Sequence, residues 1–217
     1  MTTMRCRHCG TGLRLPLVDL GSAPPSNAYL TAQTLRAPET WFPLRVLVCE
    51  ACWLVQTEDF AQAEALFNAD YAYFSGFSSS WLDHCERHVA AMTARLGLSA
   101  ASHVVEVAAN DGYLLQYVQQ RGIPCTGIEP TASTAAAARA KGLPIVQAFF
   151  GATLARELAA QGRQADLAIA NNVLAHVPDI DGDNFFLARR SRPVSCPRLQ
   201  CVRPPPARPT FSAQPSR

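Results

Sequence analysis

Two Cys-x-x-Cys pairs, Cys6 with Cys9 and Cys49 with Cys52, put four soft ligands into two chelating turns. Four thiolates are what a tetrahedral zinc ion takes, and a shell closed by protein ligands predicts a structural metal. The 39 residues between the pairs exceed the commonest zinc-ribbon spacing. Two redox dithiols, or four unrelated thiols, are the alternatives. Gly10 follows the first pair, and Cys49 closes the strand-like run Leu44-Arg45-Val46-Leu47-Val48. His8 is expected to be exposed, and Cys85 and Cys125 to be core thiols.

A second group of residues lies further on. In Val104-Val105-Glu106-Val107-Ala108-Ala109-Asn110-Asp111-Gly112, an apolar strand runs into small residues and then Asn-Asp-Gly before a helix begins. Such a strand–turn–helix brings backbone close to a ligand at the carboxyl edge of a sheet. Glu106 is costly inside an apolar strand unless it is hydrogen-bonded, so it is expected to brace the loop. Glu129 ends the next strand, where a carboxylate can accept two hydrogen bonds from ribose hydroxyls. Ala108 and Asn110 stand where a dinucleotide fingerprint has glycines, which disfavours pyrophosphate and NAD. A ligand with a ribose and no phosphate fits better, and S-adenosylmethionine is the common one. A plain doubly wound domain with an acidic loop is the alternative. Asn171, Asn172 and His176 follow a fourth strand and are expected at the same edge, His176 either reaching toward a reacting group or standing as a satisfied structural histidine.

The elements that would position these residues follow from periodicity. Leu82, Cys85, Val89, Met92 and Leu96 recur at helical spacing between Ser79 or Ser80, as cap, and Gly97. Strands are predicted over 103–107, 126–129, from 144, and over 165–170. Helices are predicted over 113–120, 131–140 and 152–160. Strand and helix alternating in this way give βαβ units and a parallel sheet with right-handed crossovers. The fold class is therefore α/β and Rossmann-like. A cysteine-bearing lobe covers 1–60, an aromatic connection 61–78, a partial α/β domain 79–182, and an irregular tail 183–217.

Composition narrows the function. The chain has 217 residues, 48% hydrophobic and 17% charged, enough for a sizeable core. Seven of its 19 basic residues are arginines within 189–217, which holds no acidic residue; the other 12 face all 17 acidic ones. The body is mildly acidic, which excludes nucleic acid and anionic membrane as default partners. No apolar run has the length to span a bilayer and the first ten residues lack a signal-peptide core, so a cytoplasmic setting is expected. Lys141 is the one lysine.

Taken in order, these pieces resemble the S-adenosylmethionine-dependent sugar C-methyltransferases of deoxysugar biosynthesis, which act on nucleotide-linked 4-keto sugars. The matching stretches are Cys6 with Cys9, Val48-Cys49-Glu50-Ala51-Cys52, Asp70-Tyr71-Ala72-Tyr73-Phe74-Ser75, Ser80-Trp81-Leu82-Asp83-His84, 105–115, Gly127-Ile128-Glu129-Pro130, and Asn171-Asn172-Val173-Leu174-Ala175-His176-Val177. They spread over about residues 1–182. The resemblance implies structural zinc on the four cysteines and ribose on Glu129. It places Glu106, Ala108, Asn110 and Gly112 along the cofactor loop, with Asn171 and Asn172 near the methionine end. Tyr71, Tyr73 and Ser75 would close over cofactor and sugar, or else pack between lobes, and His176 would sit near the reacting carbon. The partner implied is a nucleotide-sugar substrate, and nothing in the sequence fixes an oligomeric state.

After Asp181-Gly182 the periodicity stops, and Arg, Pro and Ser dominate, with Pro204-Pro205-Pro206 in the tail. Prolines at this density cannot build a sheet core. We read the change as a frameshift near 181–186 or a degenerate gene, which a βα pattern in another reading frame would support. On that reading the base and the sugar lobe are missing. Catalysis is doubtful, and a non-catalytic zinc- and cofactor-binding fragment is the alternative function.

Overall fold

A computed structural model of the protein describes residues 4–58, 60, 63–67, 71–173 and 176. The expectations for the tail and for the break at 181–186 lie outside the described residues. So do Asp70, Leu174, Ala175 and Val177 of the matching stretches.

The amino-terminal residues form a three-stranded antiparallel sheet in the order β1-β2-β3: β1 (Leu15–Ala23), β2 (Phe42–Val48) and β3 (Val55–Thr57). The predicted run 44–48 lies in β2. Its buried apolar centre is small: Cys6, Leu13 and Cys49, with Met4, Leu47, Cys52 and Leu54 packed around them. Leu17, Leu20, Trp41 and Trp53 are exposed. So little buried apolar surface does not stabilise a lobe of this size by itself.

A short helix α1 (Ala63–Leu66) and a 3-10 turn (Ser75–Phe77) lead into α2 (Ser79–Leu96). The cap of α2 is Ser78, whose side chain accepts the Trp81 N–H; the expected Ser79 and Ser80 lie inside the first turn. Gly97 stops α2 in the left-handed conformation at φ 63°, as the sequence predicts.

The α/β part follows as β4 (Val104–Val107), α3 (Leu115–Gln120), β5 (Cys125–Ile128), α4 (Ala132–Ala140), β6 (Ile145–Val146), α5 (Ala152–Ala160) and β7 (Leu167–Ile169). The four strands are parallel in the order β6-β5-β4-β7. Right-handed crossovers that step outward from β4 put α3 and α4 on one face. The reversal to β7 puts α5 on the other. Two core layers result. Val104, Leu115, Val118, Cys125, Ala138 and Ile169 pack with Cys85 and Val89 of α2 on one side; Val105, Val107, Ile128 and Leu158 pack on the other. The reversal makes a crevice beyond the carboxyl ends of β4 and β7, where open α/β sheets bind ligands.

Cys85 and Cys125 are core thiols as expected, burial pushing them up to about 12 and about 11. At Gly127 a Cβ would stand 2.5 Å from Ile145 Cδ1 and 2.9 Å from Ala109 Cβ and Leu115 Cδ1, so β5 packs this closely only on glycine. Among the described residues no helix is long and apolar enough to cross a membrane.

Candidate functional site

The four cysteines converge although 39 residues separate the pairs. Their Sγ atoms all lie within 4.8 Å of one another, with Cys6–Cys52 at 3.6 Å and Cys9–Cys49 at 3.5 Å. Tetrahedral zinc with ordinary Zn–S bonds needs sulfur–sulfur edges of about 3.8 Å, so the cluster fits zinc with little movement. Burial opposes ionisation of Cys6, but the N–H groups of Cys9 and His8 and the Gln56 amide outweigh it and bring the thiol down to about 6. At Cys52 the Leu54 N–H favours the thiolate; burial and the neighbouring sulfurs outweigh it and push the thiol up to about 12. Four thiolates this close need a cation to ionise together.

Gln56 supports the cluster and is not foretold by the sequence. It is 6% exposed, donates Nε2–H to Cys6 Sγ at 3.3 Å, and accepts the Arg7 N–H on Oε1 at 3.0 Å. Both ends of the amide are used, so it fixes the direction of one ligand. Replacing Gln56 by leucine is expected to weaken zinc binding roughly 10- to 100-fold, read by competition with a chromogenic chelator.

The second site surrounds the turn after β4. Ala108, Asn110 and Gly112 have φ of 54°, 50° and 77°, so the chain passes through the left-handed region three times in five residues. Two of these residues carry a Cβ, which costs energy that outside contacts must offset. Glu129 supplies part of it. It is 4% exposed at the tip of β5, and its Oε2 accepts the Asn110 N–H at 2.9 Å while Oε1 accepts the Thr131 N–H at 2.8 Å. Backbone therefore takes one lone pair of each oxygen, and a ribose would use those that remain.

Residues 71–77 lie over this turn. Asn110 Oδ1 accepts the Ser75 N–H at 2.9 Å, and Asn110 Nδ2 donates to Tyr73 O at 3.1 Å. The side chain of Asn110, expected along the cofactor loop, is thus spent on the aromatic segment. Ser133 Oγ donates to Tyr71 O at 3.3 Å. Burial, with Glu129 and Tyr73 nearby, raises Tyr71 above the usual phenol value and keeps it protonated. Tyr73 is half exposed.

Glu106 corrects an expectation. Its side chain is completely buried, on the face shared by α2, α3 and α4, and neither oxygen has a hydrogen-bond partner among the described residues. It braces nothing. Desolvation, chiefly, raises it well above the usual carboxyl value; the Tyr113 hydroxyl lowers it less, and Glu129 and Asp111 raise it further. A folded-state value above the unfolded one means that the folded chain holds the proton more tightly. The stability that proton confers is present at low pH and is lost as pH rises from about 4.5 toward the raised value. Glu106→Gln, with zinc saturating, is expected to flatten that decline in a series of thermal melts against pH.

The third edge is formed by the residues after β7. Asn171 Nδ2 donates to the Tyr113 hydroxyl at 3.3 Å, and Asn172 is exposed with φ 54°. His176 is exposed and meets Phe67 edge-on at 6.4 Å between ring centroids, with Phe67 in turn 5.4 Å from Tyr71. The fold therefore brings Ala108–Gly112, Glu129 and the 71–77 segment into direct contact, with Asn171 and His176 linked to them through Tyr113 and Phe67. Asp111, Thr131 and Lys141 also belong here. Asp111 was visible only as part of Asn-Asp-Gly, and Thr131 gave no signal.

Two known families match the chain: one described as "Putative zinc binding domain" over residues 6–67, and one described as a methyltransferase domain over residues 81–187. The C-methyltransferase NovU of Streptomyces niveus is 32% identical over 175 residues, 81% of this chain. The chain spans 41% of the length of that relative. Among solved structures, an S-adenosylmethionine-dependent methyltransferase from Thiobacillus denitrificans in complex with S-adenosyl-L-homocysteine is 16% identical, covering 39% of this chain and 47% of its own, with a TM-score of 0.27. YjhP from E. coli is 17% identical, covering 49% and 35%, with a TM-score of 0.24. Neither overlap adds to the strand order given above.

Proposed function

We propose that the chain is a methyltransferase with an amino-terminal zinc-binding domain, as its matches over residues 6–67 and 81–187 support, and that its crevice binds S-adenosylmethionine for methyl transfer to a carbon of a nucleotide-linked 4-keto deoxysugar. The observation that carries the reading is Glu129, a buried carboxylate joined to the Asn110 N–H at the mouth of the sheet. It stands where a ribose can be gripped, beside a turn without the glycines a pyrophosphate needs. The match to a C-methyltransferase supports transfer to carbon.

The bound cofactor supplies an electrophilic methyl group on a sulfonium. The chain's own residues do the rest. Glu129 would hold the ribose hydroxyls, Ala108 and Gly112 would line the loop with Glu106 buried beneath it, and Asn171 and Asn172 would border the methionine end. Tyr71, Tyr73 and Ser75 cover the crevice and keep water from the reacting centre. A keto group acidifies the neighbouring C–H, so the reaction needs a base and hydrogen-bond donors for the enolate. His176 is the histidine proposed for that side of the crevice, with Phe67 between it and Tyr71, which is held protonated and can donate.

Titration calorimetry with S-adenosylhomocysteine and with NAD tests the cofactor. Binding of the first and not the second is expected, and the reverse would overturn the reading. Incubation with labelled S-adenosylmethionine and keto-sugar nucleotides tests the transfer. Cofactor binding without label in any sugar would favour a binding fragment over an enzyme.

A further inference from the structure

We propose that Asp111 and Lys141 form an ionic buckle that fixes the register of the 71–77 strap over the crevice, as positioning residues that touch neither cofactor nor substrate. Asp111 divides its carboxylate between two partners. Oδ1 accepts the Gly76 N–H at 3.2 Å, and Oδ2 faces Lys141 Nζ at 3.3 Å. Lys141 Nζ also donates to the Asp111 carbonyl at 2.7 Å, so the ammonium grips both the backbone and the side chain of one residue. Asp111 is 6% exposed, and it shares this end of the sheet with the buried acids Glu106 and Glu129. A carboxylate so placed needs a cation, and the chain's one lysine provides it.

Gly76 shows how close the approach is. A Cβ there would overlap the Asp111 carboxylate, so the strap seats on Asp111 only where it carries no side chain. The neighbouring residue completes the fastening, since both polar ends of the Asn110 side chain bond Tyr73 and Ser75. The left-handed turn lets Asn110 send its N–H inward to Glu129 and its side chain outward to the strap. One residue thus joins the floor of the crevice to its cover, and Lys141 holds the adjacent one. Whatever Glu129 grips is coupled mechanically to the position of Tyr71 and Tyr73. This coupling rests on the reading of the crevice as the S-adenosylmethionine site; the buckle itself does not.

Residue-resolved hydrogen exchange on the zinc-loaded full chain tests it. The Ser75 and Gly76 amides are expected to be protected, and Lys141→Met to speed their exchange about tenfold, the loss of one charge-assisted contact. Amides of β4 and β5 are expected to stay unchanged, and Lys141→Arg to restore most of the protection. Should the methionine variant disturb the core strands, the isosteric Asp111→Asn asks the same question. Unaltered exchange at Ser75 and Gly76 in the correctly folded variants would overturn the buckle. S-adenosylhomocysteine is expected to slow the same two amides and to bind Lys141→Met about tenfold more weakly than the parent. Equal affinity for both chains would deny the buckle a positioning role. No binding to the parent chain would remove the cofactor reading and leave the exchange result standing.

Discussion

Replacing Cys49 by serine is expected to abolish stoichiometric zinc and to unfold the β1–β3 lobe, while the β4–β7 sheet stays folded. Cys49 is completely buried, and its Sγ lies 3.5 Å from that of Cys9 at the centre of the cluster. Among the described residues, three buried apolar side chains form the lobe's core, two of them cysteines of the cluster. Structural zinc contributes about 10–16 kcal/mol of apparent binding energy at neutral pH, far more than this core supplies by burial. Removing one thiolate leaves three ligands and a buried hydroxyl of poor affinity. Elemental analysis reads the metal, and hydrogen exchange along β2 and β3 reads the fold. Chelation of the parent chain is expected to give the same exchange pattern, reversed by added zinc. A folded lobe without metal would refute the assignment.

Glu129→Ala has the second large effect, in two measurements at once. The carboxylate accepts two backbone N–H groups, from Asn110 and Thr131. Without it both are left buried and unpaired, at about 1–3 kcal/mol each. Asn110 loses the contact that offsets its left-handed backbone, and the turn that bears the strap relaxes. Thermal melting is expected to show a clear destabilisation. Affinity for S-adenosylhomocysteine is expected to fall about 100-fold, as for a lost pair of hydrogen bonds to a charged group. Glu129→Gln separates the two effects, because its carbonyl still accepts one N–H while its NH2 opposes the other. Parent-like affinity in that variant would remove Glu129 from ribose binding.

Much of the α/β architecture was legible because its signals are local. The apolar run from Val104 to Val107, the alanine-rich stretch closed near Gly142 and the periodic α2 each announce their own state through two- or 3.6-residue repeats. Boundaries were less legible. Ser78, Ser79 and Ser80 are equivalent as caps in sequence, and only the direction in which the chain arrives chose Ser78. β1 carries no local signal, because Pro16, Asp19 and Gly21 interrupt it and its pairing with β2 shifts register twice. Neither of its faces is buried, so no alternation marks it. The strand order was not legible either, since the reversal from β6 to β7 depends on which edge of β4 the chain returns to.

At the site the division is sharper. Cysteine spacing pointed to a metal cluster, because two chelating pairs of soft ligands supply the four thiolates that tetrahedral zinc takes; the convergence of the four Sγ atoms favours it over separate dithiols. Gln56 sits 50 residues from Cys6, Gly76 35 from Asp111, and Lys141 30 from Asp111. Contacts of that separation leave no mark on a local pattern. Glu106 shows the opposite error: its type suggested a hydrogen-bonded brace, and the fold buries it with neither oxygen in a well-formed hydrogen bond among the described residues.

Residue types and spacing alone pointed to a four-thiol zinc cluster, with redox dithiols or unrelated thiols as the alternatives, and to strands and helices alternating into a parallel sheet ending near Asn110 and Glu129. Those outcomes depend on residue type and short-range periodicity. The packing of distant segments sets the rest: Asn110 turns its side chain to the strap and its N–H to Glu129, and the single lysine closes on Asp111. A side chain's aim in a left-handed turn follows from backbone dihedrals and from which distant segment packs against it, and neither is written in the residues nearby.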